Sequence, residues 1–178
     1  MNTSLDCLPC LLRQTVEAAR FVTEDTAVHE QVVRHVLRMV AGMDLTHSPP
    51  VVAQAVHRRL RQITGVEDPY RTLKTRFNRL VMSMLPDLTA KVEGASDRLF
   101  MAARLAIAGN VIDSGATADL TEQGVHEALD RSLSEPFVGA WEEFRRAMAG
   151  ARDILYLADN AGEIVLDRLL IQEIGCQH

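Results

Sequence analysis

Between residues 5 and 133 the apolar positions recur at helical spacing almost without a break. Leu8, Leu11, Leu12, Thr15, Val16 and Ala19 fall three or four apart, which is the repeat of one helix face. Val28, Val32, Val33, Val36 and Leu37 predict a second helix over 26–40, with Asp25 as its cap. Ser48-Pro49-Pro50 opens a third that ends near Gly65, because proline suits a first turn and glycine a last one. Asp68-Pro69 repeats the device before a helix carrying Tyr70, Leu73, Phe77, Leu80 and Val81, which Pro86 is expected to interrupt or end. Ser96 and Asp97 lead into an Ala- and Leu-rich stretch over 98–112 with so little polar surface that burial on most sides is expected. Shorter helices are predicted after Thr121, over 137–149 around Trp141 and Phe144, and finally through Leu166, Leu169, Leu170 and Ile174.

Only 154–158 reads as a strand, apolar on both faces as a buried parallel strand would be. It runs into Asp159 and Asn160, then a turn at Ala161-Gly162, then a helix opened by Glu163. Ligands of open α/β sheets sit beyond the carboxyl ends of strands. A following helix presents N–H groups and the positive end of its dipole, which favour phosphate, so Gly162 and Glu163 belong with the substrate-binding candidates. Asp159 and Asn160 carry the hard oxygens that Mg²⁺ and Mn²⁺ prefer. The same residue types also serve as a plain helix cap and turn, and both readings stand on the residues alone.

No companion strand is legible: 46–52 is broken by prolines and 85–92 is too polar. A lone buried strand would leave its backbone groups unpaired. The expected fold class is therefore a mainly α N-terminal region, 1–115, leading into an incomplete α/β domain, 116–178. The latter would be the first strand–helix unit of a parallel, Rossmann-like sheet, with 115–121 as a hinge. Its unpaired sheet edge would favour self-association or a complementing chain.

Composition narrows the chemistry. Hydrophobic residues make up 47% of the 178 and aromatic ones 4%, which predicts a folded domain with an aliphatic core. A net charge of −5 argues against a general nucleic-acid binder. No apolar run is long enough for a membrane span, and the N terminus lacks a signal-peptide pattern. Three cysteines without a secretory signal predict reduced thiols and a cytoplasmic location. Cys7 and Cys10 form one CxxC, whose reading stays open between a secondary metal site, a redox pair and simple packing. Cys176 and His178 would complete a metal quartet on paper, though at a spacing shorter than usual. The remaining histidines have no paired-ligand context, and there is no GxSxG, P-loop or GxGxxG pattern.

Several segments stand together in order. They are Asp6-Cys7-Leu8-Pro9-Cys10 with Arg13 and Gln14, Asp68-Pro69-Tyr70 with Lys74 and Asn78, and Gly109-Asn110-Val111-Ile112-Asp113-Ser114-Gly115. Asp159-Asn160-Ala161-Gly162-Glu163 and Asp167-Arg168-Leu169-Leu170 complete the set. In order and spacing the chain resembles the damage-control phosphatase family, also called domain of unknown function 89, and its prokaryotic branch with an N-terminal CxxC. The resemblance implies hydrolysis of phosphate monoesters of small metabolites with a divalent metal, Mn²⁺, Mg²⁺, Co²⁺ or Ni²⁺. It implies Asp159 and Asn160 as metal ligands, Asn110 and Asp113 as catalytic residues facing the same cleft, and Lys74 and Asn78 on the cleft wall. The family's chains run on through further strands that add an acidic ligand and a basic phosphate-binding residue. This chain is thus expected to be truncated and inactive alone, or completed by a partner chain. The alternative function is a non-catalytic helical binding or assembly module that keeps a residual metal site.

Overall fold

The computed structural model describes residues 2–114 and 121–175, with the backbone alone at 111–114 and 122. Among these, the regular elements are α1 (Cys7–Val22), α2 (Thr26–Ala41), α3 (Pro49–Thr64), α4 (Arg71–Glu93), α5 (Arg98–Ser114), α6 (Glu122–Ser134), α7 (Trp141–Gly150) and α8 (Glu163–Gly175). Two compact units divide the chain, Met1–Thr72 and Leu73–His178. The expected boundary at 115/116 and all of the 115–121 hinge except Thr121 lie outside the described residues, as do Cys176 and His178.

In the first unit, local chemistry sets the helix ends. The Asp25 side chain accepts a 2.8 Å hydrogen bond from the Ala27 N–H at the start of α2, satisfying a donor that the helix leaves open. Pro49 and Pro50 occupy the first turn of α3, and Gly65 ends it at φ +71°, a conformation that glycine adopts freely. The three helices pack on one another around Ala18, Ala19, Val32 and Leu60, with Val28, Ile63 and Tyr70 against them. Val36 is fully buried but Leu37 is exposed, so the inward stripe of α2 is narrower than its apolar positions suggest.

The second unit is built around α5, which packs against both α6 and α8. Ala102, Leu105 and Ala108 are fully buried, as the near absence of polar surface on this helix predicts. Helix α4 contributes Val81, Met84, Leu88 and Val92 to the same core. It runs on to Glu93 with Pro86 inside it, contrary to the expected break. Pro86 lies on the exposed side, and two of the buried residues come after it. Burying an aliphatic side chain contributes about 1.5–3 kcal/mol, so Leu88 and Val92 together offset the roughly 3 kcal/mol that an interior proline costs. An ion pair of 2.7 Å between Arg98 and Glu173 joins the start of α5 to the last turns of α8. Arg104 donates to the carbonyls of Ser132, at 2.9 Å, and Glu135, closing the C-terminal end of α6.

The expected α/β domain is not found. Among the described residues there is no strand and no sheet, so the incomplete Rossmann-like unit is replaced by an all-helical architecture. Residues 154–158 are non-helical but have no ladder partner, and a ladder is what makes a strand. Nor is this run buried on both faces: Leu155 is 85% exposed and Leu157 82%, while Tyr156 between them turns inward and packs against the core. Ile154 and Ala158 are exposed as well, so within this run Tyr156 is the side chain that packs on the helices.

Candidate functional site

The turn before α8 is fixed from three directions. Gly162 adopts φ +81°, which costs any residue with a Cβ about 1–2 kcal/mol, and a Cβ there would also meet Val81 Cγ2 at 3.3 Å. The Gly162 N–H donates a 2.7 Å hydrogen bond to Asn78 Oδ1 on α4. From the other side α5 comes close, because a Cβ on Gly109 would lie 3.2 Å from Glu163 Cα and 3.1 Å from Leu166 Cδ1. Within the turn, Asn160 Nδ2 donates to Glu163 Oε2 at 2.9 Å. The Ile164 N–H bonds to the Asn160 carbonyl at 3.3 Å.

These contacts orient Asn160, one of the two residues singled out for metal. The Asn160 amide spends its N–H on Glu163, which leaves its carbonyl oxygen as the atom for a cation. Asp159 precedes it with an exposed carboxylate. Together they offer two hard oxygens, a set that fits a divalent cation whose other positions are taken by water and substrate oxygens. Among the described residues no group of three or more His, Cys, Asp and Glu side chains is placed to hold a metal ion.

Beside the turn lies a cavity of about 550 Å³ whose lining includes Asn110, Glu163, Tyr156 and Asp167, with Phe137, Trp141 and Phe144 forming an aromatic wall. Trp141 and Phe144 stack with centroids 5.3 Å apart, and Phe137 meets Trp141 edge-on at 6.2 Å. The structure therefore brings Asn110 and Glu163 to one cavity, and ties Asn160 to Glu163 and Asn78 to Gly162. It does not put Asp159 or Asn160 on that cavity's lining. Asn78 is spent on the Gly162 backbone, so it braces the turn. Lys74 is exposed one helical turn before it on α4, on the same side. Asp113 lies one turn after Asn110 on α5, with its side chain outside the described residues. Cys7 and Cys10 lie in the first unit, on α1.

Sequence reasoning passed over two residues of the cavity. Tyr156 OH donates a 2.7 Å hydrogen bond to Asp167 Oδ1, and Asp167 is 2% exposed. Burial raises the Asp167 carboxyl above its ordinary value of 3.8; the Glu163 charge adds to this and the Tyr156 bond opposes it. Burial first, then the bond to Asp167, raises the Tyr156 phenol, so it stays a protonated donor. The available signal was Asp167 four positions after Glu163, interrupting the apolar face formed by Leu166, Leu169, Leu170 and Ile174.

Comparison with known proteins places this chain in a family. Residues 3–177 match the damage-control phosphatase ARMT1-like domain. A damage-control phosphatase of Archaeoglobus fulgidus is 34% identical over 98% of this chain and 61% of its own length. An uncharacterized protein of Methanocaldococcus jannaschii is 30% identical over 95% of this chain and 57% of its own. The crystal structure of a DUF89 family protein from Pyrococcus horikoshii superposes with a TM-score of 0.85 at 21% identity, covering 98% of this chain and 60% of that one. The fold is thus shared, and the chain spans about three fifths of the length of the relatives it matches. No described helix is long and apolar enough to cross a membrane.

Proposed function

Since this chain belongs to the damage-control phosphatase ARMT1-like family, we propose that it takes part in hydrolysing phosphate monoesters of small metabolites, at the turn that opens α8. The family implies a divalent metal cofactor, and Asp159 with the Asn160 carbonyl would hold it. When bound, such a cation neutralises charge on phosphoryl oxygens and polarises the phosphorus towards water. Glu163 holds the Asn160 amide so that its oxygen faces the cation. Asn78 and Gly162 keep the turn from relaxing, and the α8 dipole adds positive potential where the phosphate would lie. Asn110 would bind substrate hydroxyls from the cavity, Lys74 would attract the phosphate, and Asp113 would take the proton of the attacking water.

The observation that carries this reading is the hydrogen bond from Asn160 Nδ2 to Glu163 Oε2, which gives the amide a defined direction that a bare helix cap does not require. The test is hydrolysis of p-nitrophenyl phosphate with Mn²⁺, Co²⁺, Mg²⁺ or Ni²⁺, with and without chelator. Turnover should need the cation and should fall by about a hundredfold or more in Asp159→Ala. Cation binding without turnover would support the non-catalytic module instead, and turnover indifferent to Asp159→Ala would move the site elsewhere.

A further inference from the structure

Cys7 and Cys10 remain outside this chemistry, and their surroundings are unlike those of packing cysteines. Helix α1 buries Leu11, Thr15, Ala18 and Ala19, whereas the two thiols lie half-exposed beside that face. A cysteine that serves only as a small hydrophobe is among the most buried of residues. Cys7, Cys10 and Gln14 are spaced three and four apart on α1, so they share one stripe of the helix, and Ser4 lies in the chain just before it. Both ends of the stripe are polar partners for sulfur. Ser4 Oγ lies 3.4 Å from Cys7 Sγ, and Gln14 Nε2 donates to Cys10 Sγ at 3.6 Å.

The backbone brings the two thiols within bonding reach. For positions three apart, a rise of 1.5 Å and a turn of 100° per residue on a cylinder of 2.3 Å radius put the Cα atoms about 5 Å apart, inside the usual disulfide range of roughly 4.4–6.8 Å. The turn just ahead is already tight, with three-residue bonds from Cys7 N to the Ser4 carbonyl at 3.1 Å and from Leu8 N to the Leu5 carbonyl at 3.2 Å. Tightening in that sense brings side chains at i and i+3 over one another. Pro9, between the cysteines, has no N–H to lose as the turn adjusts.

We propose that Cys7 and Cys10 are a thiol–disulfide exchange site that closes reversibly on reaction with small-molecule disulfides, with Cys7 as the attacking group. The Cys7 thiolate attacks one sulfur of R–S–S–R, forming the mixed disulfide and releasing RS⁻, which takes up the proton that Cys7 gave to solvent. Cys10, losing its own proton, then attacks the Cys7 sulfur and expels the second RS⁻, which is likewise protonated. The protein loses two hydrogens and the small disulfide is reduced to two thiols. Cys7 leads because its hydrogen bonds with the Ser4 side chain and then the Ser4 backbone hold its thiol below the ordinary value, which enlarges the thiolate fraction at neutral pH. Excess small-molecule thiol runs both exchange steps backwards and reopens the disulfide.

The test uses the full chain carrying Cys176→Ser, so that two thiols remain. With oxidised glutathione, intact-mass analysis should show a product two hydrogens lighter that reverts with reduced glutathione. Adding Cys10→Ser should trap one glutathione on Cys7, and adding Cys7→Ser should slow the reaction at neutral pH about tenfold or more. Alkylation of the two thiols by iodoacetamide, followed against pH without either of those substitutions, should show Cys7 reacting at a lower pH than an ordinary thiol. Stable adducts on both cysteines without closure, faster reaction at Cys10, or stoichiometric zinc held by the pair after dialysis would each overturn the proposal.

Discussion

Replacing Asn78 by alanine tests how the turn before α8 is held. The Gly162 N–H is buried, and Asn78 Oδ1 at 2.7 Å is its partner. A buried donor left unpaired costs about 1–3 kcal/mol. Alanine is a better helix former than asparagine by up to about 0.7 kcal/mol, which offsets part of the loss on α4. With that full offset the net destabilisation should be about 0.3–2.3 kcal/mol. Asn78→Asp keeps an acceptor oxygen in the same place and should stay within about 0.5 kcal/mol of the parent. Trp141 is the single tryptophan of the chain and belongs to the second unit, so its fluorescence during urea unfolding reads the relevant transition. Asn78→Ala should lower the midpoint with no change in slope. Equal midpoints for the alanine and aspartate variants would refute the argument, because they would show that the acceptor oxygen does not hold the turn.

Three further outcomes are expected. Gly162→Ala should destabilise the second unit by about 1–2 kcal/mol from the positive φ alone, with more from Val81, measurable in the same unfolding assay. Asp167 has a folded-state pKa above its ordinary value of 3.8, so the stability linked to its neutral form is full below that value and is lost as pH rises through the folded pKa. Asp167→Asn keeps an acceptor for Tyr156 and removes the titration, so urea midpoints between pH 4 and 7 should fall less steeply with pH than in the parent. Pro86→Ala, on the exposed side of α4, should raise stability by about 1–3 kcal/mol by restoring an N–H donor and relieving the ring clash; an unchanged or lowered Tm would show that α4 has adapted its backbone to the ring.

What could be read from the residues was mostly local. Asp25, Pro49, Pro50, Gly65 and Thr121 act on atoms within four positions of themselves, and the helix ends they predict are found. Pro86 misled because its cost is local while the compensation from Leu88 and Val92 depends on packing. The run at 154–158 misled differently: a strand is defined by a neighbour's backbone, and an apolar sequence carries no information on whether that neighbour is present. The Tyr156–Asp167 pair spans 11 positions across a turn, and neither helical nor strand spacing points to it. Asn78 was marked as cleft wall on resemblance, and the geometry gives it the Gly162 amide.

The Asn78–Gly162 bond joins positions 84 apart, and closing so long a loop costs on the order of 4 kcal/mol in chain entropy, more than the roughly 1 kcal/mol that one hydrogen bond returns. The turn therefore cannot order by itself and takes its shape only once α4, α5 and α8 have packed. During synthesis at roughly 5–20 residues per second, Asn78 leaves the ribosome about 4–17 s before Gly162 does. Once α5 has followed α4 out within that interval, their apolar faces that α8 will cover wait for it, and a nascent chain in this state is a natural client for chaperones that shield aliphatic surface.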